Sequence, residues 1–245
     1  MTPSHSTPQR EQPKEIQKMF DAIAPTYDLL NHVLSFGLDI RWRRKAITLL
    51  SGKRGGTILD IAAGSGDVSF DLMNIQPQRV IGGDFSLNML QVFDKKIEKV
   101  KPEHPISLVS CDALSLPFND ESFDGTIVAF GIRNFANRLQ SLKEMLRVLT
   151  PGGISVILEL TQPQTPFISQ CYSLYSRWGL PLVGKIISRS NSAYSYLPQS
   201  ITNFPPKDEF LSLMNEAGFV ETKALPLTFG VATIFTGRKK NPMRG

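Results

Sequence analysis

Cysteine and histidine are both scarce in this chain. Its 245 residues include two cysteines, Cys111 and Cys171, and three histidines. Two thiols so far apart make no disulfide framework, so a reducing, cytoplasmic setting is expected. Neither H-x-x-x-H nor C-x-x-C spacing occurs, so no metal site is expected. No run of roughly 18 apolar residues is present, which argues against a bilayer-spanning segment. Residues 1–13 are rich in Ser, Thr, Pro and Gln and lack an apolar stretch. They read as a disordered leader, not a signal peptide, ahead of a single domain over 14–245. Acidic excess is also missing: the net charge is +5. Basic residues gather at Arg41-Trp42-Arg43-Arg44-Lys45 and at Arg238-Lys239-Lys240. That pattern fits a solvated helix face and tail, or a contact with anionic lipid head groups or RNA.

The most informative stretch is Ile58-Leu59-Asp60-Ile61-Ala62-Ala63-Gly64-Ser65-Gly66-Asp67. An apolar run carrying one acid breaks into small residues, the pattern of a buried parallel strand entering a tight turn that opens a helix. Gly64 and Gly66 admit positive φ and let a ligand approach the backbone. About twenty residues on, Val80-Ile81-Gly82-Gly83-Asp84 reads as a second strand ending in a carboxylate placed to accept ribose hydroxyls. A dinucleotide fingerprint needs a third glycine where this chain has Ser69, and Asp67 at the helix start repels a pyrophosphate. A nicotinamide dehydrogenase is therefore disfavoured. The Asp-x-Ala-x-Gly-x-Gly-Asp form resembles the first motif of class I S-adenosylmethionine (SAM) methyltransferases. The resemblance implies SAM as methyl donor, held by the turn at Gly64, Ser65 and Gly66 and by Asp84.

Taken in order, residues 14–50 suggest two or three short helices punctuated by Pro25 and Gly37. Strands are expected at 57–62, 79–83, 106–110, 124–130 and 154–160. Helices are expected at 67–75, 87–100 (N-capped by Ser86) and 139–149, the last stopping at Pro151-Gly152-Gly153. Strict alternation predicts right-handed crossovers and an α/β fold with a mostly parallel, Rossmann-like sheet. Asp112, closing the third strand, suits an exocyclic adenine amine, and Ala113 offers a backbone amide. Residues 161–204 interrupt the alternation and read as a lid over the cleft, before a helix near 207–217 and two strands at 219–227 and 229–237 that could pair antiparallel.

Three further segments carry a narrower resemblance: Tyr27-Asp28-x2-Asn31-x3-Ser35-x-Gly37, Phe130-Gly131-Ile132-Arg133-Asn134, and Arg147-Val148-Leu149-x-Pro151-Gly152-Gly153 through Glu159. They resemble the quinone-biosynthesis C-methyltransferases over residues 14–240. Leu158-Glu159-Leu160-Thr161-Gln162-Pro163, Pro181-Leu182-Val183-Gly184-Lys185 and Tyr194-x-Tyr196-Leu197 look like the menaquinone-type members. Demethylmenaquinol is thus the favoured acceptor, with the ubiquinone precursor 2-polyprenyl-6-methoxy-1,4-benzoquinol as the alternative. The resemblance implies SAM contacts at Ser65, Asp84, Asp112 and Ala113. There are departures: Asp39 stands where many members have His, Ala129 where some have Ser, and Ala63 and Ser65 replace Gly and Thr.

Methyl transfer from a sulfonium needs alignment and dryness more than an enzyme nucleophile. A reduced quinol becomes nucleophilic at the ring carbon when its oxygen is deprotonated, so a cation or proton acceptor should face that oxygen. Arg133 is the first choice for the cation, or else a salt bridge bracing its loop. Tyr27, Asp28, Asn31, Tyr194 and Tyr196 are candidates for orienting the quinol or relaying its proton, and His32 is a further base or a solvent-facing residue. A polyprenyl tail would remain in the bilayer, guided by 167–187, so peripheral contact with the inner membrane is expected. A homodimer stays open. No nucleic-acid partner is expected: an RNA or DNA base methyltransferase would need an Asn/Asp-Pro-Pro-Tyr motif or a Pro-Cys loop, and neither occurs. A non-catalytic SAM-binding subunit is the remaining rival.

Overall fold

The computed structural model describes residues 17–19, 21–22, 24, 28, 32–33, 35–163 and 191–241, excepting the side chains of 191–195. Its centre is β1 (Thr57–Ile61), flanked by β2 (Arg79–Asp84) and β4 (Phe123–Ala129). β3 (Ile106–Ser110) lies outside β2, and β5 (Leu149–Leu160) outside β4. These five strands are parallel. β7 (Ala232–Arg238) then pairs antiparallel with both β5 and β6 (Val220–Leu227), giving the order β3-β2-β1-β4-β5-β7-β6. The expected antiparallel pair is therefore present, with β7 inserted between its partner and the parallel strands. Chain direction across the sheet reverses between β1 and β4, and such a switch point opens a crevice at the strand C-termini.

Both faces of the sheet are covered, as a parallel sheet requires. Successive residues alternate between two buried clusters. Ile58, Val80, Val156 and Ile234 join Trp42, Ala46 and Ile47 of α1 (Leu38–Thr48) on one face. Leu59, Ile81, Ile157 and Phe235 point the other way, onto α4 (Arg138–Val148) and α6 (Lys207–Ala217) through Leu142, Met145, Phe210 and Met214. α3 (Leu87–Val100) begins as the sequence suggests, Ser86 Oγ accepting from Met89 N at 3.1 Å.

Two boundaries differ from expectation. The segment expected as one helix over 67–75 is α2 (Asp67–Asp71) followed by a 3-10 turn, Leu72–Ile75. Gln76 takes φ 52° three residues before β2 starts, and the tighter turn lets the chain reverse in that space. β5 begins at Leu149 and not at 154. Leu149 pairs with Phe123, and a register shift separates that pair from Gly125↔Ile154. Pro151 has no N–H to give the ladder, so it sits within this irregular entry, and Gly152 follows at φ 72°. The end of β7 holds the loop: Gly152 N donates to Lys239 O (3.1 Å), and Lys239 N to Gly153 O (3.0 Å).

From the expected lid, α5 (Asn191–Thr202) is described and delivers Ile201 and Phe204 into buried positions. Residues 164–190 lie outside the described residues. No helix among the described residues is long and apolar enough to cross a membrane.

Candidate functional site

The strand C-termini carry an open cleft whose empty space, the solvent at its mouth included, is about 930 Å³. Its wall comes from four strand ends: Ile61, Ala62 and Gly64 after β1; Gly83 to Ser86 after β2; Cys111 to Leu114 after β3; Ala129 to Gly131 after β4. Convergence of four consecutive strand ends is what the switch-point topology provides.

The turn after β1 is built under strain. Ala62 takes φ 56° although it carries a Cβ, and Gly64 and Gly66 follow at 55° and 91°. Gly66 has a second reason to be glycine. A Cβ there would lie 2.1 Å from the Phe93 ring, and one at Gly82 would lie 2.7 Å from it. One fully buried phenylalanine of α3 thus fills the space behind both elements that form the floor. Across the cleft Phe130 also sits at positive φ (58°), and a Cβ on Gly131 would be 2.7 Å from the Ala62 Cβ. The β1 and β4 ends approach this closely only because position 131 has no side chain.

Asp84 lines the cleft. Its Oδ2 accepts from Gly64 N and its Oδ1 from Ser86 N, both at 2.8 Å. Burial raises its pKa, opposed by these backbone donors. Asp112 and Ala113 line the wall after β3, with Asp112 Oδ1 accepting from Leu114 N at 2.9 Å. Between the two acids Cys111 also faces the cleft, and burial pushes its thiol up to about 12. Ser65 is buried beneath the turn and not on the cleft wall; its hydroxyl donates to Asp28 Oδ1. These acids, the turn amides and the apolar flank of Phe85, Met89 and Phe135 fit a ligand with a ribose, a flat purine and a charged tail. Among the described residues no cluster of His, Cys, Asp and Glu could hold a metal ion.

Asp60 lies just behind the turn. It is buried, Ser69 Oγ donates to its Oδ2 at 2.6 Å, and its Oδ1 has no hydrogen-bond partner. Burial, with a smaller push from Asp84, raises its pKa from 3.8 to about 7, against the Ser69 hydrogen bond and the Arg43 charge. A carboxyl whose folded pKa exceeds its unfolded value keeps a proton that the unfolded chain has lost. Stability from this site is therefore present at low pH and falls as pH rises from about 4 to about 7, by up to about one proton on unfolding. Asp60→Asn should flatten that part of the stability profile in urea titrations, leaving a residual slope of the same sign from Asp84.

The residues expected to face the methyl acceptor are placed in different ways. Tyr27 and Asn31 lie outside the described residues, as does the side chain of Tyr194. Asp28 is engaged at both oxygens, by the Ser65 hydroxyl and by Lys96 Nζ (2.5 Å), and Lys96 also reaches Asp67 Oδ1 at 2.9 Å. The carboxylate thereby ties the N-terminal segment to the glycine turn. His32 joins the same system and not open solvent: its Nδ1 lies 2.7 Å from Asp39 Oδ2. Arg43 donates to Asp39 Oδ2 (2.6 Å) and Asp71 Oδ2 (3.1 Å).

Arg133 sits on a 3-10 turn, Ile132–Asn134, after β4. Its guanidinium is buried against β5, with Nη1 donating to Glu159 Oε1 (2.6 Å) and to Phe130 O (2.5 Å). Its backbone N donates to Glu159 Oε2 at 3.1 Å. The salt-bridge role weighed for Arg133 is thus present in the fold. The next residue, Asn134, lines the cleft, and its Oδ1 accepts from the Tyr196 hydroxyl at 2.8 Å. Burial raises the Tyr196 pKa, so this hydroxyl is a donor at neutral pH. Arg133 and Tyr196 do not line the cleft themselves; Asn134, next to Arg133 in the chain and bonded to Tyr196, connects both to the wall.

The 130–134 loop read from the sequence as a site segment contributes Phe130, Gly131 and Asn134 to the wall, whereas sequence reasoning passed over Gln17, Phe85, Met89 and Phe135 as lining residues. Phe85 directly follows Asp84, so position after a strand end was the usable signal for it. Lys96 gave none, since it is one of several lysines on α3.

Comparison with known proteins places these features. A demethylmenaquinone methyltransferase of Bacteroides fragilis is 44% identical over 227 residues, covering 92% of this chain and 93% of its own length. A ubiquinone/menaquinone biosynthesis C-methyltransferase of Geobacter sulfurreducens is 42% identical over 231 residues, covering 94% and 90%. Among solved structures, a SAM-dependent methyltransferase of Thermotoga maritima superposes with a TM-score of 0.64 at 19% identity, over 91% of this chain and 99% of that one. Likeness at that identity carries the fold alone, the class I SAM methyltransferase fold, and function has to be argued from closer relatives. Those relatives, and the model of the ubiE/COQ5 methyltransferase family that matches residues 7–239, establish that this chain belongs to the ubiE/COQ5 methyltransferase family.

Proposed function

We propose that this methyltransferase transfers the SAM methyl group to a ring carbon of demethylmenaquinol, giving menaquinol. The relative carrying that name at 44% identity over nearly the whole of both chains is the observation that carries the reading. A second reading, methylation of the polyprenyl benzoquinol precursor of ubiquinone, is favoured by the 42% identical relative whose name joins both quinones.

When bound, SAM supplies an electrophilic methyl group on a sulfonium centre. The proposed holders are Gly64 of the turn, which Ser65 and Gly66 shape from behind the wall, with Asp84 at the ribose and Asp112 and Ala113 at the adenine. Asp28 acts from beneath, keeping Ser65 and the turn in place. The protein's remaining task is to favour an ionised quinol oxygen and to exclude water. Arg133 is assigned the first role: it precedes the cleft-lining Asn134 in the chain, and its charge is shared with Glu159. Asn134, its Oδ1 held by the Tyr196 hydroxyl, offers its amide group to orient the acceptor, with Tyr196 positioning it and Tyr27, Asn31 and Tyr194 as further acceptor residues. The polyprenyl tail keeps the protein in peripheral contact with the inner membrane.

Incubation of the purified protein with labelled SAM and a reduced short-chain demethylmenaquinone, or the benzoquinol precursor, should add one methyl mass to one or both. Transfer to RNA, or SAM binding without turnover on either quinol, would refute the reading. Arg133→Lys keeps the charge and loses the planar fork. It should lower kcat about tenfold with the SAM Kd unchanged, a loss of about 1.4 kcal/mol in the transition state. An unchanged kcat would remove Arg133 from the mechanism.

A further inference from the structure

The basic cluster of α1 and two exposed phenylalanines remain outside the site just described. Of the five residues Arg41-Trp42-Arg43-Arg44-Lys45, Trp42 and Arg43 turn inward. Trp42 Nε1 donates to Thr228 Oγ1 at 2.9 Å, and Arg43 pairs with Asp39 and Asp71. Arg41, Arg44 and Lys45 face outward, spaced as one side of a helix, with no acidic partner among the described residues. Asp39, the one acid of α1, is buried.

At the site end of the same helix stands Phe36, 79% exposed. Trp42 fastens α1 to the β6–β7 turn, which presents Phe229 at 74% exposure. Both phenylalanines take positive φ, 52° and 57°, where bulky residues are uncommon. The fold accepts that conformation twice, and each side chain is largely exposed. Both turns lie on the side of the sheet where the cleft opens: α1 starts there, and β7 begins there opposite Leu160 at the end of β5.

We propose that this surface, with Phe36 and Phe229 as apolar tips and Arg41, Arg44 and Lys45 as a cationic collar, docks on an anionic phospholipid bilayer and sets the cleft mouth against it. At 1.5 Å per residue the three cations lie roughly 5–10 Å behind the helix start, about the depth of a head-group layer, so they meet lipid phosphates when the rings reach the acyl boundary. The occupant is an anionic membrane and not another protein, because the collar is wholly cationic and the proposed acceptor carries a polyprenyl tail. The inference rests on the quinol reading for its purpose, but the docking is measured separately.

The test is co-sedimentation of the full chain with phosphatidylcholine vesicles, with and without phosphatidylglycerol. Wild type should bind the anionic vesicles and bind neutral ones more weakly. Charge reversal at Arg41, Arg44 and Lys45 together should reduce binding roughly a hundredfold, and Phe36→Ser with Phe229→Ser about tenfold. Val100→Ser, an exposed apolar control at the far end of α3, should bind as wild type. All variants should still methylate a short-tailed quinol in solution. The proposal is overturned if wild type fails to bind anionic vesicles, if the variants bind as wild type, or if the phenylalanine pair acts by dissociating a dimer. Vesicle binding with no methyl transfer to any quinol would instead refute the quinol reading and leave the surface standing.

Discussion

Asp84→Ala is expected to weaken SAM binding by about two to four orders of magnitude. The carboxylate is half-buried at the end of β2, and its two oxygens already organise Gly64 N and Ser86 N at 2.8 Å. On the cleft side it is the acid available to a ribose. Hydrogen bonds to a charged group contribute about 1.5–3 kcal/mol each, and two lost together correspond to this range of affinity. Truncation also takes its side-chain acceptor from the Gly64 amide, so the strained turn loses one of its restraints. Asp84→Asn retains the shape and one acceptor and should fall between wild type and alanine. Titration calorimetry with SAM decides the matter, and an alanine variant within a few-fold of wild type would refute the ribose assignment.

Glu159→Ala should destabilise the fold by about 3–5 kcal/mol, the usual consequence of stripping one partner from a buried ion pair. Glu159 is fully buried and accepts from Arg133 Nη1, Arg133 N and Leu160 N at 2.6, 3.1 and 2.8 Å. Its loss takes the Glu159 carboxylate away from the buried guanidinium, which keeps its bond to Phe130 O, and removes the acceptor of two backbone amides. Urea unfolding should show a lower midpoint at an unchanged m-value. Replacing both partners by methionine removes the uncompensated charge and should recover most of the stability without recovering turnover. That divergence separates the structural use of the pair from its proposed electrostatic use. Were Glu159→Ala as stable as wild type, the ion pair would be marginal.

The alternation of strands and helices was legible because it follows local rules. Ile58/Leu59 and Val80/Ile81 divide between the two faces as a period of two demands, and Ser86 caps α3 through its own hydroxyl. The turn glycines and the acids at 84 and 112 were legible for the same reason, since each stands within a residue or two of a strand end. The 149–153 entry to β5 was not. Its conformation depends on hydrogen bonds to Lys239, some 90 residues away, and no local pattern reports a bulge held from that distance. The fate of Asp28 was equally hidden. Sequence set it beside Tyr27 and Asn31 as an acceptor residue, whereas Lys96 and Ser65 draw both its oxygens to the turn.

Sequence by itself determined the class of fold, the kind of methyl donor and the strand ends that line the cleft, because these depend on periodicity and on glycine and carboxylate placement along short stretches. Only the tertiary structure decided which charges are spent internally and which face outward. Arg133 pairs with Glu159 across two strands, and Arg43 with acids of the turn helix, while Arg41, Arg44 and Lys45 on the same helix as Arg43 remain outside. An arginine reads the same in sequence in either case. Whether its charge is neutralised, stored behind a cleft wall or presented to a surface depends on what distant segments pack against it.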